Sequence, residues 1–365
     1  MNSPHSILFI GAHRPGRSPG QRFRYEQFVP FLEANGFECE LSYILDEEDD
    51  KVIYAEGKYL SKIGIAAKGF IKRTRDMMNS KHFDIIFIYR EAFMTGNTLF
   101  ERQMKKSGAK IIFDFDDAIW LYDISEGNRR FGWLKKPEKT ADIIGLADLV
   151  FAGNNFLAQY ALQHNKNVKI VPTVIDTNYH KRSSPVGLKQ KVCIGWTGSH
   201  TTIKHFEFGL NFLYKIKEKY GEKVYFKLIG DPTFKNAELN LNGIAWKKES
   251  EIHDLNEIDI GIMPLPNDEW SMGKCGFKGI QYMALEIPCI MSPVGVNIEI
   301  IQDGVNGFLS ASEDVWVEKL SALIESPALR SSIGKAGRET VIQKYSVDSL
   351  KTRYLSYFKE LVGEI

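Results

Sequence analysis

Short apolar runs alternate with longer amphipathic segments along the whole chain, the pattern of parallel strands joined by helices. In the first half the runs occupy residues 6–10, 38–42, 85–89, 110–113, 149–152 and 168–171. In the second they occupy 192–195, 225–229, 258–263 and 289–292. Each is brief and β-branched or aromatic in character, as a strand covered on both faces should be. The pattern restarts near Val192, after a polar stretch from Thr173 to Lys189 that carries Pro185 and reads as a linker. Two α/β domains are therefore expected, residues 1–175 and 190–345, with parallel sheets facing a central cleft. A closing amphipathic helix within 346–365, bearing Leu350, Tyr354, Tyr357, Phe358 and Leu361, is expected to pack back on the first domain. Ligands of such sheets bind beyond the C-terminal strand ends, so candidate chemistry is sought there.

Composition narrows this picture. With 365 residues, 44% hydrophobic and 25% charged, each half can bury an ordinary core without a metal or disulfide staple. The formal net charge of +1 carries no global polyanion signal, and no nucleic-acid partner is expected. Cys39, Cys193, Cys275 and Cys289 lie far apart and read as buried or free thiols in a reducing compartment. No leader-type segment and no bilayer-length apolar run is read, so a cytoplasmic protein is expected.

Four segments carry candidate chemistry. The first strand runs into a glycine-bearing loop, Gly11 to Gly20, and a helix starting near Arg22. Gly16, Gly20, Arg22 and Arg24 there suit an acceptor or a phosphate, since helix N-terminal amides favour anions. The loop is not a G-x-G-x-x-G fingerprint and has no Walker lysine, which weighs against a dinucleotide oxidoreductase. Asp114, Asp116 and Asp117 follow the 110–113 run; three clustered carboxylates require a counter-charge or hydroxyls, and Arg90 ends the neighbouring run. Gly198, Ser199, Thr201 and Thr202 follow the 192–195 run and offer close backbone approach with hydroxyls at a helix start; an ordinary capped turn explains them as well. Last come Lys274, Cys275, Gly276, Phe277, Lys278 and Gln281, a loop opening a helix with two lysines four apart, suited to neutralising a diphosphate.

Taken in order, 259–265, 278–284, Ile287-Pro288, Gly295 and 299–308 resemble the donor-binding region of GT-B glycosyltransferases, specifically retaining glycosyltransferase family 4. Residues 194–202 and 114–120 resemble a bacterial subgroup of that family. The resemblance implies transfer of a sugar from a UDP- or GDP-sugar to a glycan or lipid-linked acceptor in surface polysaccharide or glycoconjugate synthesis. It implies retention, no protein nucleophile, no bound metal and no cofactor beyond the sugar nucleotide. On it, Lys278, Asp116 and Asp117 are expected to be catalytic. Gly198, Ser199, Thr201, Thr202, Lys274, Cys275, Gly276, Phe277, Lys278 and Gln281 are expected to hold the donor. The chain departs from the family at its E-x7-E pair, where Gly273 and Gln281 stand; Asp268 or Glu269 is a candidate substitute for the first carboxylate. Asp116 occupies the place of the family's histidine. The missing carboxylates keep two rivals in view, a catalytically silent sugar-nucleotide-binding protein and an epimerase of the same fold.

From Lys58 to Met78 the pattern predicts a helix with Ile63, Ala67, Phe70, Thr74 and Met77 on one side and Lys58, Lys62, Lys68, Lys72 and Arg75 on the other. A basic amphipathic helix suits an anionic membrane surface, and a solvated face of the first domain serves as well. The Arg129–Trp133 stretch is a further candidate for acceptor or lipid contact.

Overall fold

The computed structural model describes residues 4–53, 55, 57–121, 136, 138–182 and 190–364. The Arg129–Trp133 stretch and residues 183–189 lie outside them. The chain divides into two compact units, Met1–Thr173 with Lys351–Ile365, and Val174–Leu350.

The first unit is built on β1 (His5–Ile10), β2 (Phe37–Ser42), β3 (Ile85–Tyr89), β4 (Lys110–Phe115), β5 (Leu149–Ala152) and β6 (Val168–Ile170). They form one parallel sheet in the order β2-β1-β3-β4-β5-β6. β3 is buried at every position and β4 at all but Lys110, which is why their sequences are almost unbroken apolar runs. Phe9, Phe87 and Phe151 meet Phe358 of the returning Val347–Val362 helix, whose Tyr354 stacks on Phe28 at 4.1 Å between ring centres. The terminal helix thus completes the core of the first unit. Strand order reverses between β1 and β3, placing the loops after them at the sheet's ligand-binding edge.

The second unit carries β7 (Val192–Thr197), β8 (Val224–Ile229), β9 (Lys235–Asn236), β10 (Leu241–Asn242), β11 (Ile260–Met263), β12 (Cys289–Met291) and β13 (Phe308–Leu309). β9 and β10 form a small antiparallel hairpin; the others form a parallel sheet ordered β13-β12-β11-β7-β8. Its reversal lies between β7 and β11. Trp196, Phe206, Leu213, Leu228, Ile262 and Ile290 fill the core under the sheet, with Phe212 stacked on Trp316 at 4.4 Å.

Two expectations are corrected here. Residues 174–182 are not a free linker but part of the second unit. Ile175 bridges Ser346, Val174 and Ile175 are buried, and Arg338 donates to the carbonyls of Thr177 and His180. The Tyr59–Asn79 helix also does not divide its faces as expected, since Lys62 is buried while Lys68 and Arg75 are exposed beside Ile63 and Phe70. Its buried side is Lys62, Ile65, Gly69, Arg73 and Asp76, while Leu60, Ile63, Phe70, Ile71 and Met78 are exposed. Gly69 lets the helix approach Ile44 and Phe93. Arg73 lies fully buried and donates to Asp76 (2.7 Å), Ser42 (2.8 Å) and the carbonyl oxygens of Ala92 and Gly11. A guanidinium that satisfies strand-end carbonyls outweighs the apolar side chains it displaces from the interior.

Arg73→Met should leave Asp76 buried without its main counter-charge and two carbonyls unmet. It should lower unfolding free energy by about 3–5 kcal/mol in urea denaturation, whereas Arg75→Met on the exposed face should change it little.

Candidate functional site

At the C-terminal end of β7 the chain turns through Gly198 and Ser199. The Trp196 indole lies beneath this turn, so a Cβ on Gly198 would come within 2.1 Å of the ring. Gly230, after β8, packs so tightly on the turn that a Cβ there would fall 1.7 Å from the Gly198 carbonyl oxygen. Only glycine permits this approach, and it leaves backbone rather than side chains at the strand ends. Ser199 and Thr202 form a reciprocal capping box: the Ser199 amide donates to Thr202 Oγ1 at 3.0 Å, and Thr201 Oγ1 lies 2.9 Å from Ser199 Oγ. These hydroxyls therefore serve the turn itself, the simpler of the two expected roles.

Beyond β11 the Glu269–Met272 helix is capped by Asp268, which accepts from the Ser271 amide at 2.7 Å. Asp268 thus has a structural task where a sugar contact was considered. The Phe277–Ala284 helix begins at Gly276, whose φ of 66° and 2.3 Å Cβ approach to Ile300 leave room for no side chain. Lys274 precedes this cap and Lys278 lies in the first turn, so the two do not share a helix face as expected. Instead each ammonium sits over an indole, Lys274 over Trp270 at 4.8 Å and Lys278 over Trp196 at 5.4 Å. Trp196 thus joins the Gly198 turn to Lys278 around one ring. Cys275, Phe277 and Lys278 are half-buried at this helix start.

Gln281 departs from its expected place on the donor. It is buried, and its amide donates to Glu251 at 3.2 Å, as does the Trp246 indole N–H. Glu251 Oε2 lies 3.9 Å from the buried His180. This interior network turns the Gln281 side chain toward the Glu251–Asn256 helix, because a buried carboxylate demands donors.

In the first unit the strand ends are held by ion pairs. Arg24 and Asp114 are both about fully buried, at 1% exposure each, and pair through two contacts, one of them Nε to Oδ2 at 3.1 Å. Arg24 also donates to the Val171 carbonyl. It is therefore an interior strut between helix, β4 and the end of β6, not a loop residue open to phosphate. Arg14 and Arg17 reach Asp50, which also meets His13 at 3.2 Å, and the Gly16 amide donates to Glu26 at 2.7 Å. The loop's cations and this amide are thus matched by the protein's own acids. Arg22 rests on Phe23 at 4.7 Å.

Asp116 is the focus of the opposite cluster. Tyr89 donates to it at 2.7 Å and Arg90 through Nε at 2.9 Å and Nη2 at 2.7 Å; Arg90 also pairs with Asp117. Arg90 has a φ of 63°, a left-handed backbone that a long side chain adopts only when its surroundings insist. Gly20 fits against Tyr89, where a Cβ would meet the hydroxyl at 1.9 Å. Arg90 thus meets Asp116 and Asp117 as expected, beside a Tyr89 that the sequence did not mark and that Gly20 packs against.

Residues 191–326 match a family model described as Glycosyl transferases group 1. The capsular polysaccharide biosynthesis glycosyltransferase CapM of Staphylococcus aureus is 29% identical over 132 residues, 34% of this chain and 33% of that protein. The match therefore spans about a third of the curated relative's length. Among solved structures, a glycosyltransferase from Rickettsia africae aligns over 99% of both chains with a TM-score of 0.68 and 15% identity. Anabaena Alr3699/HepE in complex with UDP-glucose aligns over 97% of this chain and 99% of its own, with a TM-score of 0.66 and 13% identity.

The fold is GT-B.

Within this GT-B chain the partners of candidate residues that the sequence did not mark are Tyr89, bonded to Asp116, and Glu251, bonded to Gln281. His205 is buried on the Ile203–Glu207 helix, and burial first, then the charges of Lys278 and Lys274, push its ring down to about 3.

Gly276→Ala should strain the left-handed cap and collide with Ile300. A loss of about 1–3 kcal/mol is expected, read as a lower melting temperature, with lysine positions and hence ligand affinity disturbed as well.

Proposed function

We propose that the chain transfers a sugar, with retention, from a UDP- or GDP-sugar to a glycan or lipid-linked acceptor in bacterial surface polysaccharide or glycoconjugate synthesis. The observation that carries this reading is the grouping of Lys278, the Trp196 ring, the Gly198 turn and the glycine-capped start of the Phe277–Ala284 helix. A close-approach backbone turn, a cation and a helix start suit a diphosphate. CapM's role in capsular polysaccharide and the UDP-glucose bound by HepE support the substrate class.

In the proposed reaction the bond from the anomeric carbon to the diphosphate oxygen breaks as the acceptor oxygen bonds to that carbon. The acceptor's proton passes to the leaving phosphate, so no paired acid and base are required. Lys278 and Lys274 stabilise the growing negative charge, the contribution that counts in the transition state. Asp116, held by Tyr89 and Arg90, orients the acceptor hydroxyl, with Asp117 beside it. The inward-turned Gln281 favours a second reading, a sugar-nucleotide-binding protein with little turnover. Calorimetry with UDP-glucose and GDP-glucose, followed by an assay for released nucleoside diphosphate, separates the two. Turnover should fall at least tenfold in Lys278→Ala and in Asp116→Asn; turnover unchanged in both would overturn the assignment, and binding without turnover would favour the second reading.

The reading includes peripheral attachment to the inner face of the plasma membrane. No helix among the described residues is long and apolar enough to cross a bilayer. The outward side of the Tyr59–Asn79 helix carries Leu60, Ile63, Ala67, Ile71 and Met78 at helical spacing, with Lys68 and Arg75 exposed beside them. Apolar residues flanked by cations suit an anionic lipid surface better than open water. The protein should co-sediment with phosphatidylserine-containing vesicles more than with phosphatidylcholine alone. Ile63→Asp with Ile71→Asp should reduce that binding severalfold without lowering the melting temperature.

A further inference from the structure

The Tyr59–Asn79 helix has a fixed place relative to the sheet edge that carries Asp116. Its C-terminus leads through Ser80–His82 to Asp84, which meets Ser6 at the start of β1, so that end lies at the N-terminal strand ends. Gly69 packs on Ile44 and Phe93, and Arg73 donates to the carbonyls of Gly11 and Ala92. These four residues lie just past the C-terminal ends of β1, β2 or β3. The helix therefore runs antiparallel to the strands and reaches their C-terminal edge near Gly69. The part from Tyr59 to Gly69, about 15 Å of helix, stands beyond that edge. Leu60 is 86% exposed and Ile63 57% on this overhang, with Phe70 at 48% and Ile71 at 55% on the edge itself. Ala92 is two residues from Arg90, whose guanidinium holds Asp116 at 2.7 Å. One short segment thus ties the outward-facing helix to the candidate acceptor carboxylate.

We propose that the bilayer meets the first unit at the overhanging half of this helix, and that the acceptor is a sugar carried on a membrane lipid, entering beside residues 90–92. The proposal rests on the transfer reading above and narrows its acceptor to the lipid-linked class. Distance selects that arrangement. The polar layer of a bilayer is about 5–8 Å deep on each side, so a sugar on a lipid stays near the membrane plane. β3 and β4 span 5 and 6 residues, which puts the opposite strand ends about 17–20 Å away. A lipid-borne hydroxyl meets Asp116 only where the membrane lies against the C-terminal edge, and the overhanging apolar residues are there. Exposed Lys58 and Arg75 on the same helix region complement an anionic lipid surface. The bond changes are those of the proposed transfer, with the lipid anchor left intact.

Two measurements test this. A photo-reactive benzoylphenylalanine is placed at Leu60, on the overhang, or at Met78, which is 68% exposed near the other end of the helix. On phosphatidylserine-containing vesicles the probe at Leu60 should cross-link to lipid at several times the yield of the probe at Met78. Equal yields, a higher yield at Met78, or no cross-link at either position overturns the proposed contact. Transfer is then followed from UDP-glucose and GDP-glucose labelled in the sugar. The acceptors offered are a bacterial membrane-lipid extract in such vesicles and the water-soluble glycans of the same cells. Label should enter the organic-extractable lipid. That transfer should fall severalfold in Leu60→Asp with Ile63→Asp, and not in Leu162→Asp, an exposed apolar position on another helix end. Should the double variant not fold, the cross-linking yields and the label's destination in the intact chain still decide. Label found only in water-soluble glycan overturns the lipid-borne acceptor and leaves the transferase reading standing. No label in either fraction overturns that reading itself, a separate outcome.

Discussion

A parallel strand covered on both faces can carry polar chemistry only where it ends, and both units are organised by that constraint. Peptide groups along β3, β4 and β7 are satisfied by neighbouring strands, while their side chains, apart from those near the strand ends such as Lys110, Asp114 and Thr197, are apolar or aromatic. At the strand ends, carbonyls and carboxylates emerge into a low-dielectric rim and must be met. Arg73 meets the Gly11 and Ala92 carbonyls, and Arg24 meets Asp114 and the Val171 carbonyl. Each of these arginines is fully interior and ties a helix to the sheet edge beside candidate site residues. The frame around the site is thus held by charge that has already found its partner.

The two units differ in how they leave that edge. In the first, cations and carboxylates are matched one against another: Arg14 and Arg17 with Asp50, Arg90 with Asp116 and Asp117. In the second, Lys274 and Lys278 lie on the faces of Trp270 and Trp196. An indole face steadies an ammonium through the negative face of its ring. The two edges therefore differ in how their charges are held rather than in how many they carry.

The sheets were legible because burial on both faces leaves nearly unbroken apolar runs; β3 coincides with its run, and β4 and β7 extend theirs by two residues at the functional end. The β9–β10 hairpin and β13 were not, since two-residue strands have no periodicity to read. The division of faces on the Tyr59–Asn79 helix was misread for a different reason. Periodicity counts apolar residues as inward, but Arg73 finds partners at Gly11, Ser42 and Ala92, positions distant in sequence. The same holds for the site. Lys278 and Gly276 announce themselves through a loop and helix start, whereas Gln281 is turned by Glu251, thirty residues away, in a contact that no local spacing encodes.

The returning helix gives the chain an unusual order of assembly. Val347–Val362 begins in the second unit, while its Tyr354 and Phe358 close the aromatic core of the first. Synthesis proceeds from the N-terminus, and domains ordinarily fold in that order. Here the first unit remains short of its last core residues while the entire second unit is being made. For that interval Phe9, Phe28, Phe87 and Phe151 lack the rings that cover them, so the half of the protein translated first is the half that must wait to be finished.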